Sequence, residues 1–276
     1  MNKADYYYRE NLSELLKLEN KDINPRPKYK DGTPAHCYSL FGIYEKYDIS
    51  KGEFPIPTLR NTALKMGIKE IFWIYQDQSN KLEDAHKRGI TWWDEWDIGD
   101  GTIGRRYGDT VRRWDMMNEL LYGLENDPFS RRHYIDLLQK EDLNSTKGLY
   151  PCAFLTHWYV REGKNNLILD MELIQRSNDY IMAGYINKAQ YVALQMMVAG
   201  HLGYDIGVFA HNTINLHIYD RHIEAAKELL NRTPIDIQPT MRLKSKKNFY
   251  DYTIDDFEFT NLDGIEKLKS NLEIAI

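Results

Sequence analysis

Cys152 is the residue whose type offers the most chemistry. It follows Pro151 at the head of a strand-like apolar run. A cysteine attacks as its thiolate and needs a positive charge nearby to hold that form. No cation stands beside it in sequence, so two readings stay open: a nucleophile, or a small buried apolar residue. The run Gln175-Arg176-Ser177-Asn178-Asp179 is a dense polar set in another strand-like stretch. Alternation puts Gln175, Ser177 and Asp179 on one face and Arg176 on the other, unless a bulge intervenes. The run fits a pocket wall, where buried polar groups are paired, or a solvated edge strand. Arg131 and Arg132 follow the turn Asn126-Asp127-Pro128 and suit a phosphate or carboxylate through guanidinium forks; a solvated basic turn is the alternative. Trp92, Trp93 and Trp96 offer rings for stacking on a flat heterocycle, or for packing at a corner. His217 and Tyr219 share a face if their segment is a strand, and suit a sugar hydroxyl. The Cys and His residues show none of the usual metal-ligand spacings. No phosphate-cradling or dinucleotide-binding glycine pattern is present.

These residues need elements to hold them. Helical spacing is expected over Leu12 to Leu18, Thr58 to Gln76, Met116 to Glu125, Lys188 to Leu202 and Arg221 to Asn231. Extended chain is expected over Cys37 to Ile49, Ala153 to Tyr159, Leu167 to Ile181 and Asp205 to Tyr219. Asn24 to Pro34, with three Pro and an Asp-Gly pair, reads as a loop, and Trp92 to Tyr107 as an irregular surface segment. Strands and helices without strict alternation indicate α+β, a large sheet covered by helices. No repeat, low-complexity tract or composition break divides the chain, so residues 1–276 are expected to form one domain.

The 276 residues are 42% hydrophobic and 28% charged, within the range of a soluble globular chain. A net charge of -5 argues against a nucleic-acid binder, which usually carries a basic face. Two cysteines are too few for a disulfide framework and fit a reducing interior. The polar, Tyr-rich N-terminus has no signal core, and no stretch reaches the roughly 20 apolar residues of a membrane span. A cytoplasmic protein without membrane or DNA partners is expected.

Taken in order, the motifs resemble the thymidylate synthase family. The resemblance runs from Asp31 to Ile276. It rests on Asp31-Gly32-Thr33-Pro34-Ala35-His36, Trp93-Asp94-Glu95-Trp96, Asp100-Gly101-Thr102-Ile103-Gly104, Asn126-Asp127-Pro128 with Ser130-Arg131-Arg132-His133, Pro151-Cys152, Gln175 to Asp179, and His217-Ile218-Tyr219. It implies a mixed sheet packed back to back in a homodimer, and two substrates, dUMP and 5,10-methylenetetrahydrofolate, with no metal. It implies that Cys152 adds to C6 of the uracil ring. Glu70 is the implied general acid/base, and Tyr107 belongs to the network that removes the C5 proton. Arg176 is an implied phosphate ligand that also lies near the thiol. Arg26, Arg131, Arg132 and Ser177 are the other implied phosphate ligands, the Arg131–Arg132 pair reaching the partner subunit. Asn187 is implied to read the uracil edge, and His217 and Tyr219 to hold the deoxyribose 3′-hydroxyl. Asp179 is implied to bind the pterin, Trp93 and Trp96 to line the folate site, and the tail ending at Ile276 to close over it.

Departures from the family pattern gather on the folate side. Ala183-Gly184-Tyr185-Ile186 replaces a stretch that normally carries a Phe, so Ile186 alters that wall. Arg60 stands for a Lys near the folate tail, and Trp92 for a common Ile. Ile214-Asn215 replaces Gly-Asp, and Ile does not take a positive φ freely, so a changed local backbone is expected. Three activities follow: reductive methylation of dUMP to dTMP, a dUMP hydroxymethylase in which water captures the methylene, or a dUMP-binding protein with little chemistry.

Overall fold

A computed structural model describes residues 1–276. A six-stranded mixed sheet lies at its centre. Strands β1 (Cys37–Asp48), β6 (Asp205–Tyr219), β4 (Leu167–Gln175), β3 (Ala153–Glu162) and β2 (Tyr134–Asp136) lie side by side in that order, and β5 (Asn178–Asp179) also pairs with β6. β4 and β5 run parallel to β6, and the remaining pairs are antiparallel. The helices are α1 (Lys3–Leu15), α2 (Leu64–Ile71), α3 (Leu82–Lys87), α4 (Gly108–Arg113), α5 (Met116–Asn126), α6 (Lys140–Ser145), α7 (Gly184–Leu202) and α8 (Ile223–Asn231). A small pair, β7 (Thr240–Leu243) with β8 (Phe257–Thr260), completes an α+β fold, as expected. No helix is long and apolar enough to cross a membrane.

Period-two burial shows where the core sits. Trp158 and Val160 on β3, Met171 and Leu173 on β4, and Phe209 on β6 are buried. Their β3 alternates His157 and Tyr159 are exposed. α7 is apolar on nearly every side and is buried from Ala189 to Ala199, as a central helix must be. Away from it, Phe41, Tyr44, Tyr134, Tyr159 and Ile214 leave large apolar side chains on the surface, Phe41 at 87% exposure.

Several elements differ from the sequence expectation, α3, α4, α6 and the short strands β2, β7 and β8 being unexpected altogether. α1 begins at Lys3 because Asn2 caps it, its side-chain oxygen accepting from the Asp5 N–H at 2.8 Å. Residues 58–63 are not helical: the buried Asp5 carboxylate takes the N–H groups of Thr58 at 2.7 Å and Leu59 at 3.2 Å. α2 therefore starts at Leu64, and a π-helical turn, Phe72–Gln76, extends it. β4 stops at Gln175, and a bend at Arg176 and Ser177 separates it from β5. Ile214 needs no special backbone, since β6 runs through it as regular strand; the positive φ of this region lies at Gly42, 72°, on the paired strand β1.

Candidate active site

The ends of β4, β5 and β6 meet the start of β3 and the first turn of α7. Register sets this meeting: Ala153 pairs with Gln175, Gln175 with Thr213, and Asp179 with His217. There a cavity of about 670 Å³ opens, within the usual range of a small-molecule site. Cys152, Arg176 and Asn187 all line it. Ser177, Asp179, His217, Tyr219, Arg26, Trp96 and the terminal Ile276 line it too.

The bend after β4 is what brings the polar run together. Strict alternation would have turned Arg176 away from Gln175 and Ser177, yet all three face the cavity. Arg176 is pinned to the loop that carries the thiol. Its N–H donates to the Cys152 carbonyl at 2.9 Å, its Nε to the Pro151 carbonyl at 3.0 Å, and its Nη2 to the Tyr150 carbonyl at 2.7 Å. That leaves Nη2 3.6 Å from Cys152 Sγ. The cation missing from the local sequence is thus delivered from β4. Burial pushes the Cys152 thiol up, while the Arg176 and Arg26 guanidiniums pull it down; the balance lies above the usual value. The resting group is a thiol with a cation in reach of any negative charge it develops. Tyr107 Oη accepts from the Cys152 N–H at 3.1 Å.

Glu70 lies near the end of α2, just before the π-helical turn, and is buried. It accepts from Trp92 Nε1 at 2.5 Å and from Gln190 Nε2 at 3.5 Å. Burial raises its carboxyl to about 7, opposed by the indoles and the Gln190 amide. A group with that pKa can both give and take a proton near neutrality. Asn187 accepts from Gln175 Nε2 at 2.9 Å through Oδ1. His217 Nδ1 donates to Asn215 Oδ1 at 2.9 Å, and burial lowers its pKa, so its other nitrogen is a neutral acceptor. Asp179 Oδ1 accepts from the Met182 N–H at 3.0 Å and steadies the turn into α7.

Glu70 and Tyr107 are not part of the cavity lining, and the remaining residues singled out in the sequence also fall outside it. Trp93 is buried against Tyr107, ring centroids 5.2 Å apart, and does not line the cavity. Ile186 packs towards Gly67 and is also outside the lining. Arg60 donates to the Ile181 carbonyl at 2.6 Å and borders a second groove instead. Arg131 and Arg132 are exposed ahead of β2, away from this protomer's cavity.

The sequence missed three roles. Trp92 was expected as a stacking ring or a packing residue, yet its indole N–H holds Glu70. Gln190 is a polar residue in the middle of an apolar helix, and that mismatch is the sign that could have marked it. The backbone of 148–150 forms part of the cavity wall and carries no side-chain pattern to notice.

Known proteins resemble this chain over nearly its full length. A family model described as "Thymidylate synthase" matches residues 6–274. The thymidylate synthase of Streptococcus pneumoniae (strain 70585) is 47% identical over 279 residues, covering 99% of this chain and 100% of that one. That of Streptococcus gordonii is 46% identical with the same coverage. Among solved structures, the thermostable thymidylate synthase A from Bacillus subtilis superposes with a TM-score of 0.87 at 34% identity, covering 99% of each chain. With the fold, the cavity and near full-length identity in agreement, the chain belongs to the thymidylate synthase family.

Proposed function

We propose that this protein makes dTMP from dUMP, with Cys152 as the nucleophile and 5,10-methylenetetrahydrofolate as the second substrate. The observation that carries the reading is the Cys152–Arg176 contact in a cavity that Asn187 also lines. Arg26, Arg176 and Ser177 offer forks and a hydroxyl to the phosphate, and His217 and Tyr219 face the sugar. Asn187 offers an acceptor and a donor side by side, matching uracil N3–H and O4. Addition of Cys152 Sγ to C6 pushes the C5–C6 electrons towards O4. Glu70, with its pKa near neutrality, is the group that supplies and removes the proton there. Tyr107 sits behind the thiol to serve the C5 proton. The folate fits the rest of the cavity, where the Trp96 ring and the Asp179 carboxylate stand near the tail residues 274–276. When bound it supplies the one-carbon unit and a hydride. Trp93, Ile186 and Arg60 then act on this site indirectly, by packing.

The exposed apolar residues on β1, β2, β3 and β6 support a homodimer formed sheet to sheet, with Arg131 and Arg132 extending to the partner's phosphate. Two free cysteines accord with a cytoplasmic setting.

Incubation with dUMP and methylenetetrahydrofolate, with analysis of both products, tests the proposal. dTMP with dihydrofolate is expected. Hydroxymethyl-dUMP with tetrahydrofolate would mean that water captures the methylene, and bound, unchanged dUMP would mean that the chain only binds.

A further inference from the structure

A line of polar side chains runs from His211, which is not part of the cavity lining, to Asn187, which is. His211, on β6, is 1% exposed, and its Nε2 lies 2.9 Å from Gln175 Oε1. Asn178 Nδ2 donates to the same oxygen at 2.8 Å. With Oε1 turned to these two, Gln175 Nε2 faces the cavity and donates to Asn187 Oδ1 at 2.9 Å. Asn187 Nδ2 in turn points to Gln190 Oε1 at 3.5 Å.

A carboxamide is nearly symmetric in shape, and turning it over exchanges donor for acceptor. In a run of amides the orientations are therefore collective, and a member of fixed polarity decides them all. Asn178 is not that member, because its buried Oδ1 has no partner and it can follow either arrangement. A neutral imidazole carries a single N–H, and the 2.9 Å contact with Gln175 Oε1, an acceptor, places it on Nε2. His211 is held neutral. Burial pushes its pKa well below the usual value, and the Lys188 ammonium from α7 adds to the shift. That ammonium pairs with Glu45 at 2.9 Å, and Glu45 faces His211 across the β1–β6 register. On its own strand His211 meets the Thr213 hydroxyl and stacks on Phe209, centroids 6.3 Å apart.

Uracil offers a donor at N3 and an acceptor at O4, and cytosine offers the reverse pair. The Asn187 amide can serve only one of them in a given orientation. Turning it over would set its Nδ2 against the Gln175 Nε2, donor against donor. Turning Gln175 to relieve this would set its amide hydrogens against His211 Nε2–H. We propose that His211, acting through Gln175, fixes the Asn187 amide in the orientation that accepts uracil and rejects cytosine. It is a positioning residue, and the proposal rests on the reading that Asn187 grips the base edge.

Two experiments test it. In protein labelled with ¹⁵N-histidine, the nitrogen shifts should report His211 as the Nε2–H tautomer in the unmodified enzyme, with and without dUMP. The Nδ1–H tautomer would overturn the proposal, and this measurement needs no variant to fold. Calorimetric titration with dUMP and dCMP then compares variants. In His211→Phe, which keeps a ring but loses the donor, the preference for dUMP should fall by about tenfold, the scale of one buried hydrogen bond. His211→Gln, whose amide can donate, should recover most of it. A preference within twofold of the parent in His211→Phe, or equal losses in both variants, would refute the role. Asn187→Asp separates the two layers. If it changes the preference while His211→Phe does not, only the His211 proposal fails. If it leaves the preference unchanged, the base-edge reading fails, and the proposal with it.

Discussion

At the scale of single residues, the site works by placing charges that the local sequence does not join. Cys152 has no cationic neighbour in the chain, and its cation arrives from the end of β4, 24 residues further on. Three hydrogen bonds to the carbonyls of 150–152 hold Arg176 there, so the guanidinium and the sulfur move as one unit. Cys152→Ser should keep dUMP affinity within a few-fold, since the proposed phosphate and sugar contacts lie elsewhere. Turnover should fall below detection, because a hydroxyl at this position has no base to activate it. Calorimetry and product analysis check the two halves separately, and residual turnover above roughly a thousandth of the parent would exclude a covalent role. The identities of Cys152, Arg176, Asn187, His217 and Tyr219 were legible in the sequence as a pattern. Their geometry was not: alternation alone would have sent Arg176 to the wrong side of the sheet, and only the bend at residues 176–177 corrects it.

At the scale of elements, α2 and α7 set the proton chemistry by what they exclude. Glu70 sits where α2 changes to a π-helical turn, so its carboxylate is buried with two indole and amide donors and no cation beside it. Its pKa rises from the ordinary 4.5 to about 7. Between those values the folded protein keeps a proton that the unfolded chain has released. Stability from this group is full at low pH and declines as pH climbs through that window, levelling above it. Glu70→Gln removes the liability. The variant should gain on the order of 3 kcal/mol of unfolding free energy at pH 8 and almost nothing near pH 4. Urea unfolding at both pH values checks it, and an equal gain at both would mean that Glu70 titrates normally. The same variant should lose about 10²-fold or more in kcat if Glu70 is the general acid/base. Helix periodicity did locate this segment, but too early in the chain. The Asp5 carboxylate that keeps residues 58–60 out of the helix comes from α1, and such long-range capture leaves no mark in a local window.

At the scale of the whole molecule, one face of the sheet is covered by α7 and its neighbours while apolar side chains remain on the surface. Tyr159 is 54% exposed and Phe41 87%. Large apolar side chains exposed on neighbouring strands of one sheet fit the proposed dimer face. If the proposed homodimer forms through this face, Tyr159→Asp should shift the protein towards monomers in sedimentation velocity, and activity should fall in step with the dimer fraction. Arg131→Ala should leave the dimer intact but raise KM for dUMP by about tenfold or more, the value of a charge-assisted hydrogen bond. If it does not, the phosphate is held within one protomer. Burial alternates along β3, with Trp158 and Val160 inside and His157 and Tyr159 outside, yet nothing in the sequence of a single chain says whether the outer face meets water or a second copy.

The last residue shares its main chain with the loop that holds Arg26. Lys28 N–H donates to the Ile276 carbonyl at 2.7 Å, and Ile276 N–H returns the bond to the Lys28 carbonyl at 2.9 Å. If Arg26 grips the phosphate as proposed, the bound nucleotide steadies the strip on which residue 276 is seated. Arrival should be sequential, the nucleotide first and the folate second, with the nucleotide product the last to depart. Product-inhibition patterns would register that order, and a random pattern would mean that strip and tail are set independently.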